Sequence, residues 1–517
     1  ARTGSPWSER WWPGLLGLAG MVAVVVGVAR PDSPFTTKLP GAWYFGLPGT
    51  GAHSAAPPAG EWIGLLSTYA GILMVLAAWY WLVAPALATP APAHAPAVRA
   101  VRPDRRLWLI LAAWTAPLLV APPLLSRDVY AYAAEGRLAA AGRSPYTHPP
   151  ASLGHSPLLG LVDPLWRHSH APYGPFFMDL AGLVSRAAGS SVAGNVLGLR
   201  LVAVVGVILV GLAIGPLARS VGQDPSRAFA LAALNPLVLL YLVGGAHNDA
   251  LMLGLRVAGG AVARQGHPVI GVLLCAVAAS VKAPAAIGIV YVGWGWAGPG
   301  APALRRWGRL AETVAIGAGA IAAISAASGF GWGWLENLSE PGKVVSWLDP
   351  ATAAGLAAGH LVQLLGGGGH QAGAVAVARD LALLAAAAVS VILLVRSDRI
   401  GPPAAAGWSL LAFALLGPVV WPWYETWGLV FLAAAAGLLA RRVLLVLSAV
   451  GCFATAPGNL AVTTGGGLAL AAGLVLVAIA LSLLLVGRRR RIGRWPPSSW
   501  STGPCTAAGA GGTSAEH

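Results

Sequence analysis

Charge is scarce in this chain. Only 10% of its 517 residues are Asp, Glu, Lys or Arg, against about a quarter in an ordinary soluble domain. That shortage excludes a string of conventional water-soluble domains. Cysteine is scarcer still. Cys275, Cys452 and Cys505 have no ligand-type spacing, and the first two lie in apolar runs as small buried hydrophobes. Acids are outnumbered by bases, 18 to 33. The excess does not call for nucleic acid, because the basic residues cluster between apolar runs, as cytoplasmic loops do. What remains is apolar: 56% of the residues are hydrophobic and the mean hydropathy is +0.69. Runs such as 107–125 and 468–486 carry no charge. The first lies too far along the chain to be a signal peptide.

The expected class is therefore all-α, a polytopic membrane protein. The hydropathy predicts spans near 13–29, 62–84, 107–125, 194–218, 228–244, 249–264, 268–281, 283–298, 310–328, 374–395, 407–420, 424–440, 443–459 and 466–486. That is about fourteen transmembrane helices with both ends cytoplasmic. Every basic cluster then falls inside: Arg102 with Arg105 and Arg106, Arg219 with Arg227, Arg305 with Arg306 and Arg309, Arg396 with Arg399, Arg441 with Arg442, and the run 488–491. Two long outer segments remain, 126–193 and 329–373. Each holds one stretch, from Tyr173 and from Ala351, that reads as a juxtamembrane helix on the outer surface. Residues 1–61 read as an N-terminal span and outer loop, 62–490 as the main membrane domain, and 491–517 as a disordered cytoplasmic tail rich in Pro, Ser, Gly and Thr.

Against this background, polar residues at membrane level stand out, since a charge in lipid is expensive and is a functional hypothesis by default. "SRDVYAYAAEGRL" follows the third span. Asp128, Tyr132 and Glu135 are spaced i, i+4, i+7 and share one helix face. The plainer reading is a helix capped by Ser126 with Asp128 in its first turn. "GGAHNDALMLGLR" places His247, Asn248 and Asp249 in a row at a turn, with Arg256 two turns on along the same face. A satisfied Asp–Arg pair is the plainer alternative there. Lys282 sits in an apolar stretch, 268–298, which is roughly 46 Å long as one helix and exceeds one crossing. Pro284 breaks it, so two short arms meet near the lysine, which suits an anionic headgroup or snorkels to lipid phosphate.

Aromatics form the remaining pattern. "WPWYETW" gathers Trp421, Trp423, Tyr424 and Trp427 around Glu425. This is either an interfacial belt or a sugar-stacking platform. Trp332, Trp334 and Trp347, with Glu336, Lys343 and Asp349, resemble a carbohydrate-facing lid. His168 and His170 are two residues apart and do not share a helix face, so headgroup or substrate contacts are favoured over a metal.

The ordered set "SRDVYAYAAEGRL…GRSPY", "APYGP", "NPLVLLYLVGGAHNDA", "VKAPA" and "WPWY" resembles the actinobacterial polyprenyl-phosphomannose-dependent α-1,6-mannosyltransferases that build the lipomannan backbone, over about residues 60–490. That family belongs to the GT-C superfamily of multi-span glycosyltransferases. The resemblance implies an inverting enzyme of the plasma membrane with its active site facing outside, and the catalytic carboxylate of the first large outer loop falls on Asp128. It implies polyprenyl-phosphomannose as donor, a mannoside or lipomannan acceptor, and no cofactor or divalent metal, since the donor has no nucleotide diphosphate. Lys282, with His247 or Arg256, then meets the donor phosphate. Tyr132, Glu135, Tyr146, His168, Tyr173, Asn248, Asp249, Trp332, Trp334, Trp421, Trp423 and Tyr424 are the expected substrate contacts. Superfamily members usually place this loop after their first helix; here it follows the third, which makes Asp32 in the earlier loop a competitor without helix-face companions. Another polyprenyl-phosphosugar transferase, such as an arabinofuranosyltransferase, is the nearest alternative. A lipid-linked sugar flippase predicts internal repeats and midplane sites, whereas these motifs gather at outer ends. A structural subunit needs no such convergence.

Overall fold

Helix is the regular structure throughout the described residues, which contain no strand. Lipid leaves no water for free backbone N–H and C=O groups, so each segment must satisfy its own. The computed structural model describes residues 11–30, 33, 58–88, 103–345, 349–369, 371–435 and 437–454. Asp32, Trp347, Cys505, the segment 466–486 and the tail 491–517 lie outside them.

Helices α1 (Trp12–Ala29) and α2 (Pro58–Ala88) pack as a pair beside α3 (Arg105–Leu119). The long segment 126–193 carries α4 (Asp128–Ala140), α5 (Pro157–Leu161) and α6 (Pro175–Ala188), with α6 lying on α4. Then come α7 (Val192–Arg219), α8 (Pro225–Ala232), a π-helical turn Val238–Gly244 and α9 (Asp249–Arg264). Next are α10 (Pro268–Ala279), α11 (Ile287–Trp296) and α12 (Ala303–Ser328). The segment 329–373 holds α13 (Gly333–Glu336) and α14 (Pro350–Leu364), followed by α15 (Gln371–Val395). The chain continues through α16 (Ser397–Ile400), α17 (Pro402–Leu416), α18 (Glu425–Leu432) and α19 (Leu438–Phe453). Both stretches read as juxtamembrane helices are helical, as α6 and α14.

Among the described residues, five helices are long and apolar enough to cross a membrane: α1, residues 62–84 of α2, α7, α12 and α15. The π-turn and α9 pass the same test only together, bent by 116°. The segments around α10, α11 and α17 are apolar but short. Some of the apolar stretches are thus pairs of short arms meeting at a break. Pro236 explains one: it ends α8, and Asn235 fills the gap by accepting from the Leu237 N–H at 3.0 Å and donating to Ser448 Oγ at 2.7 Å. Pro284 explains another, where α10 stops at Ala279 and a 3₁₀ turn Ala283–Ala286 leads into α11. α7 and α9 approach so closely that a Cβ on Gly206 would run into the Ala250 carbonyl, the small-residue contact typical of membrane helices.

The basic ends meet. The Asp104 N–H donates to Ser226 Oγ at 3.1 Å, Arg264 Nε donates to Ser220 Oγ at 2.9 Å, and Arg306 pairs with Asp398. The residues singled out above at Asp128, Asp249 and Lys282 lie at the opposite ends of α3, α9 and α10.

Candidate active site

Three chain breaks build the site. The first precedes α4. Leu125 adopts φ +59°, and the Asp128 N–H donates to Ser126 Oγ at 3.2 Å. The second precedes α9, where Ala246 adopts φ +55° and presents His247, Asn248 and Asp249. Left-handed backbone at a non-glycine residue costs about 1–2 kcal/mol, so the packing must enforce both turns. Arg200 of α7 does so. Its fully buried guanidinium donates to the carbonyls of Leu119, Ala121 and Pro122 on one side and Val243 and Gly244 on the other, at 2.6–3.2 Å. The Leu124 N–H also donates to the Gly244 carbonyl, at 3.1 Å. The third break is the Lys282 turn. The loop before α6 docks on it: Gly174 leaves no room for a Cβ against the Ser280 carbonyl, and its N–H donates to Val281 O at 3.2 Å.

Losing Arg200 should therefore loosen both turns together. Arg200→Leu would leave five carbonyls short of a donor, and charge-assisted hydrogen bonds of this kind are worth about 1.5–3 kcal/mol each. The expected outcome is a large fall in unfolding temperature in detergent. Arg200→Lys should recover only part of it, because an ammonium lacks the fork. An unchanged unfolding temperature would show that the turns hold themselves.

Asp128 lies at the mouth, with 15% of its side chain exposed. Trp166 Nε1 donates to its Oδ1 at 3.2 Å, and His247 Nδ1 lies 3.9 Å from its Oδ2. Burial pushes its pKa up to about 6, against the opposing pull of the Lys282 charge and the Trp166 hydrogen bond. Tyr132 Oη lies 3.3 Å from the same His247 nitrogen, and its ring meets Tyr173 and Phe177 edge-on. Glu135 completes the face. It is buried, its Oε2 has no partner, and burial together with the Asp128 carboxylate holds its pKa well above the ordinary carboxylate range. The geometry places on one helix face a carboxyl held at about 6 and a second one held well above the ordinary range.

Lys282 occupies an aromatic cage. Its Nζ lies 4.5 Å from the ring centre of Tyr424, 5.3 Å from Trp427 and 5.8 Å from Tyr173. It donates to both oxygens of Asp249 at 2.9 Å, and Trp427 Nε1 donates to Asp249 Oδ1 at 2.6 Å. From this cage a cavity of about 530 Å³ runs between Pro284, Ile287, Leu383, Leu410 and Phe413. Its polar groups sit at one end, at Lys282 and the rings around it.

Not every expected contact converges here. Arg256 is not a neighbour of Lys282: it faces a separate cavity and lies over the Phe431 ring at 4.2 Å. Asp249 pairs with Lys282, so the Asp249–Arg256 pair read from helix spacing does not form. His168 is exposed, on the stretch between α5 and α6. The ring faces of Trp423 are covered by Trp421 at 5.1 Å and His247 at 4.1 Å, which leaves none open to a sugar. Tyr424 stacks on Trp427 and lines the apolar cavity. Asn248 is buried with neither amide atom partnered. In the expected lid, Trp334 is buried and Trp332 exposed, while Asp349 is consumed by the Val420 N–H at 2.7 Å and Lys343 by Glu340 at 2.6 Å. Asn337 ties this segment to the first by donating to the Tyr146 and Ala171 carbonyls, each at 3.2 Å. Tyr146 in turn donates to the Tyr173 carbonyl at 3.0 Å. Trp166 and Arg200 were missed from sequence. A lone arginine in an apolar run was a signal for the second; nothing marked the first.

Known proteins can now be set beside this geometry. A family model described as "Alpha-(1->6)-mannopyranosyltransferase, N-terminal domain" matches residues 14–298, and one described as "MptB C-terminal domain" matches 351–486. A probable alpha-(1->6)-mannopyranosyltransferase of Mycolicibacterium smegmatis is 35% identical over 63% of this chain and 64% of its own length. Alpha-(1->6)-mannopyranosyltransferase A of Mycobacterium tuberculosis is 34% identical over 65% of this chain and 66% of its own. Alpha-(1->6)-mannopyranosyltransferase B of Corynebacterium glutamicum is 28% identical over 88% and 78%. The chain thus spans just under two thirds of the length of the first two relatives. No solved structure matches it. With its N-terminal match alone covering more than half of the residues, the chain belongs to the alpha-(1->6)-mannopyranosyltransferase family.

Proposed function

We propose that the protein is an inverting membrane mannosyltransferase that moves mannose from polyprenyl-phosphomannose to a mannoside acceptor of the lipomannan type, forming an α-1,6 linkage at the outer face of the plasma membrane. The observation that carries this reading is the apolar cavity ending on the Lys282 cage beside Asp128. A prenyl chain suits the cavity walls, the donor phosphate suits the lysine, and the sugar then lies toward the carboxylate. The names of the relatives supply the sugar and the linkage.

In this reading Asp128 takes the proton from the acceptor hydroxyl as general base. The freed oxygen attacks the anomeric carbon while the bond from that carbon to the phosphate oxygen breaks. Charge grows on the leaving polyprenyl phosphate, and Lys282 meets it from a fixed position. A divalent ion is not required for this step, because the leaving group is a single phosphate ester. Glu135, buried one turn beyond Tyr132, contacts a sugar hydroxyl rather than acting as a second base. His247, held between Trp423, Tyr132 and Asp128, orients the carboxylate. The orientation rests on the basic ends lying opposite the site, with those ends cytoplasmic. A bundle of about fourteen crossings remains the expected topology of the full domain.

The test is to incubate purified protein with polyprenyl-phosphomannose and a short α-1,6-mannoside, then determine the product linkage. Extension through an α-1,6 bond supports the reading. Transfer only from an arabinofuranosyl donor, or movement of the lipid across vesicles without transfer, would replace it. Cavity use has its own check. Leu383→Trp narrows the channel, and displacing roughly two methylenes should raise the KM for a long-chain donor about tenfold. A donor with a short chain should be used as before. Equal KM values for the long-chain donor would place the chain elsewhere.

A further inference from the structure

A second cavity, of about 390 Å³, opens among α9, α10, α11 and α17. It shares no lining residue with the one at Lys282. Arg264, Gly266 and Pro299 mark its basic end, and Arg256 lies deeper. α9 runs from the site at Asp249 to this basic end, so Arg256 stands seven residues, roughly 10 Å, from Asp249 along its axis.

Arg256 is 3% exposed, yet its Nε and Nη2 have no hydrogen-bond partner. Its guanidinium leans on the Phe431 ring, and Gly288 supplies the space beside Nε, where a Cβ would come within 3.2 Å. No carboxylate lines this cavity. Asp398, an acid at this end of the bundle, is already paired with Arg306. A buried guanidinium with open donors and no acid is unfavourable unless something else meets it. A planar fork suits a phosphate, which can accept two parallel hydrogen bonds.

We propose that this cavity binds a phosphate-bearing anion on the side of the bundle opposite Asp128, with Arg256 as the fork that holds it and Arg264 at the mouth. Both a lipid headgroup and free phosphate carry this chemistry. The apolar wall formed by Leu217, Val292 and Ala406 leaves room for the alkyl part of a lipid.

The full chain would be placed in nanodiscs of phosphatidylcholine, with or without phosphatidylglycerol, and in phosphatidylcholine discs with inorganic phosphate against chloride at equal ionic strength. The expected result is an unfolding temperature raised by a few degrees by one of these probes, and the rise lost in Arg256→Leu. A response to phosphatidylglycerol alone names a lipid as the ligand; a response to inorganic phosphate names the free anion. Without either probe, Arg256→Leu should be at least as stable as the parent, since it removes an unpaired buried charge. Gly260→Leu gives an independent arm. A Cβ there meets only Leu217, at 3.9 Å, so the larger side chain fills cavity space while the guanidinium itself is kept. It too should abolish the response. Equal shifts in parent and variants, or none with either probe, would overturn the proposal.

Discussion

Asp128→Asn should reduce turnover roughly 10²–10⁴-fold, the range for a positioned general base, while donor binding and folding persist. Asparagine keeps the size and can still accept from Trp166, but it cannot take a proton. The pH profile offers a second signature. The base must be ionised to act, and its pKa is held at about 6 by burial. Turnover should therefore rise as pH passes upward through about 6 and level off above 7, where roughly nine tenths of the carboxylate is free. Initial rates at saturating donor, measured from pH 5 to 8, would show this limb in the parent. Glu135→Gln should be milder, because burial holds that carboxyl above the ordinary range and glutamine keeps its hydrogen-bonding contact. A purely capping role for Asp128 predicts a lower unfolding temperature with turnover per folded molecule retained. Full activity in Asp128→Asn, with Asp32→Asn inactive, would transfer the role to the earlier loop.

The second large effect concerns the pair Lys282–Asp249. Removing one partner of a buried ion pair costs about 3–5 kcal/mol, since the other charge is left stranded. Lys282→Met alone should therefore unfold readily, and loss of activity in it would say little about donor recognition. The double variant Lys282→Met with Asp249→Asn removes both charges. It should regain most of the unfolding temperature of the parent and still fail to use polyprenyl-phosphomannose. If the double variant transfers mannose at the parental rate, Lys282 serves only to neutralise Asp249. Lys282→Arg should give partial activity, as the cage of Tyr173, Tyr424 and Trp427 fits a compact ammonium better than a plane.

The helical, membrane-embedded character was legible because low charge and long apolar runs admit little else. The site was half legible, for a related reason: Asp128, His247 and Lys282 are expensive at membrane level, so their presence marks them. What could not be read was which of them meet. Lys282 and Asp249 are 33 residues apart in sequence, and no local period joins them. Helix spacing instead paired Asp249 with Arg256, correctly placing both on α9, but α10 and α11 open a different space beside the arginine. The aromatics of "WPWYETW" were visible as a cluster. Composition alone does not reveal that Trp421, Trp423 and His247 use their faces on one another. Span counting missed the break at Pro236, where the run 228–244 reads as continuous while its backbone turns; the break at Pro284 was legible, because the stretch around it is too long for one crossing.

Leu125 and Ala246 bring one more property. Each holds a left-handed backbone that relaxes once its surroundings soften, and both stand directly before the polar segments of the site. Warming acts first on such places, because the energy stored there lowers the threshold for local opening. The bundle around them is held by extensive apolar burial, and no other non-glycine residue among the described residues holds a left-handed backbone. The site should therefore lose its shape on warming before the helices separate; a tryptophan fluorescence transition below the loss of helical circular dichroism would show it, and a single shared transition would refute it.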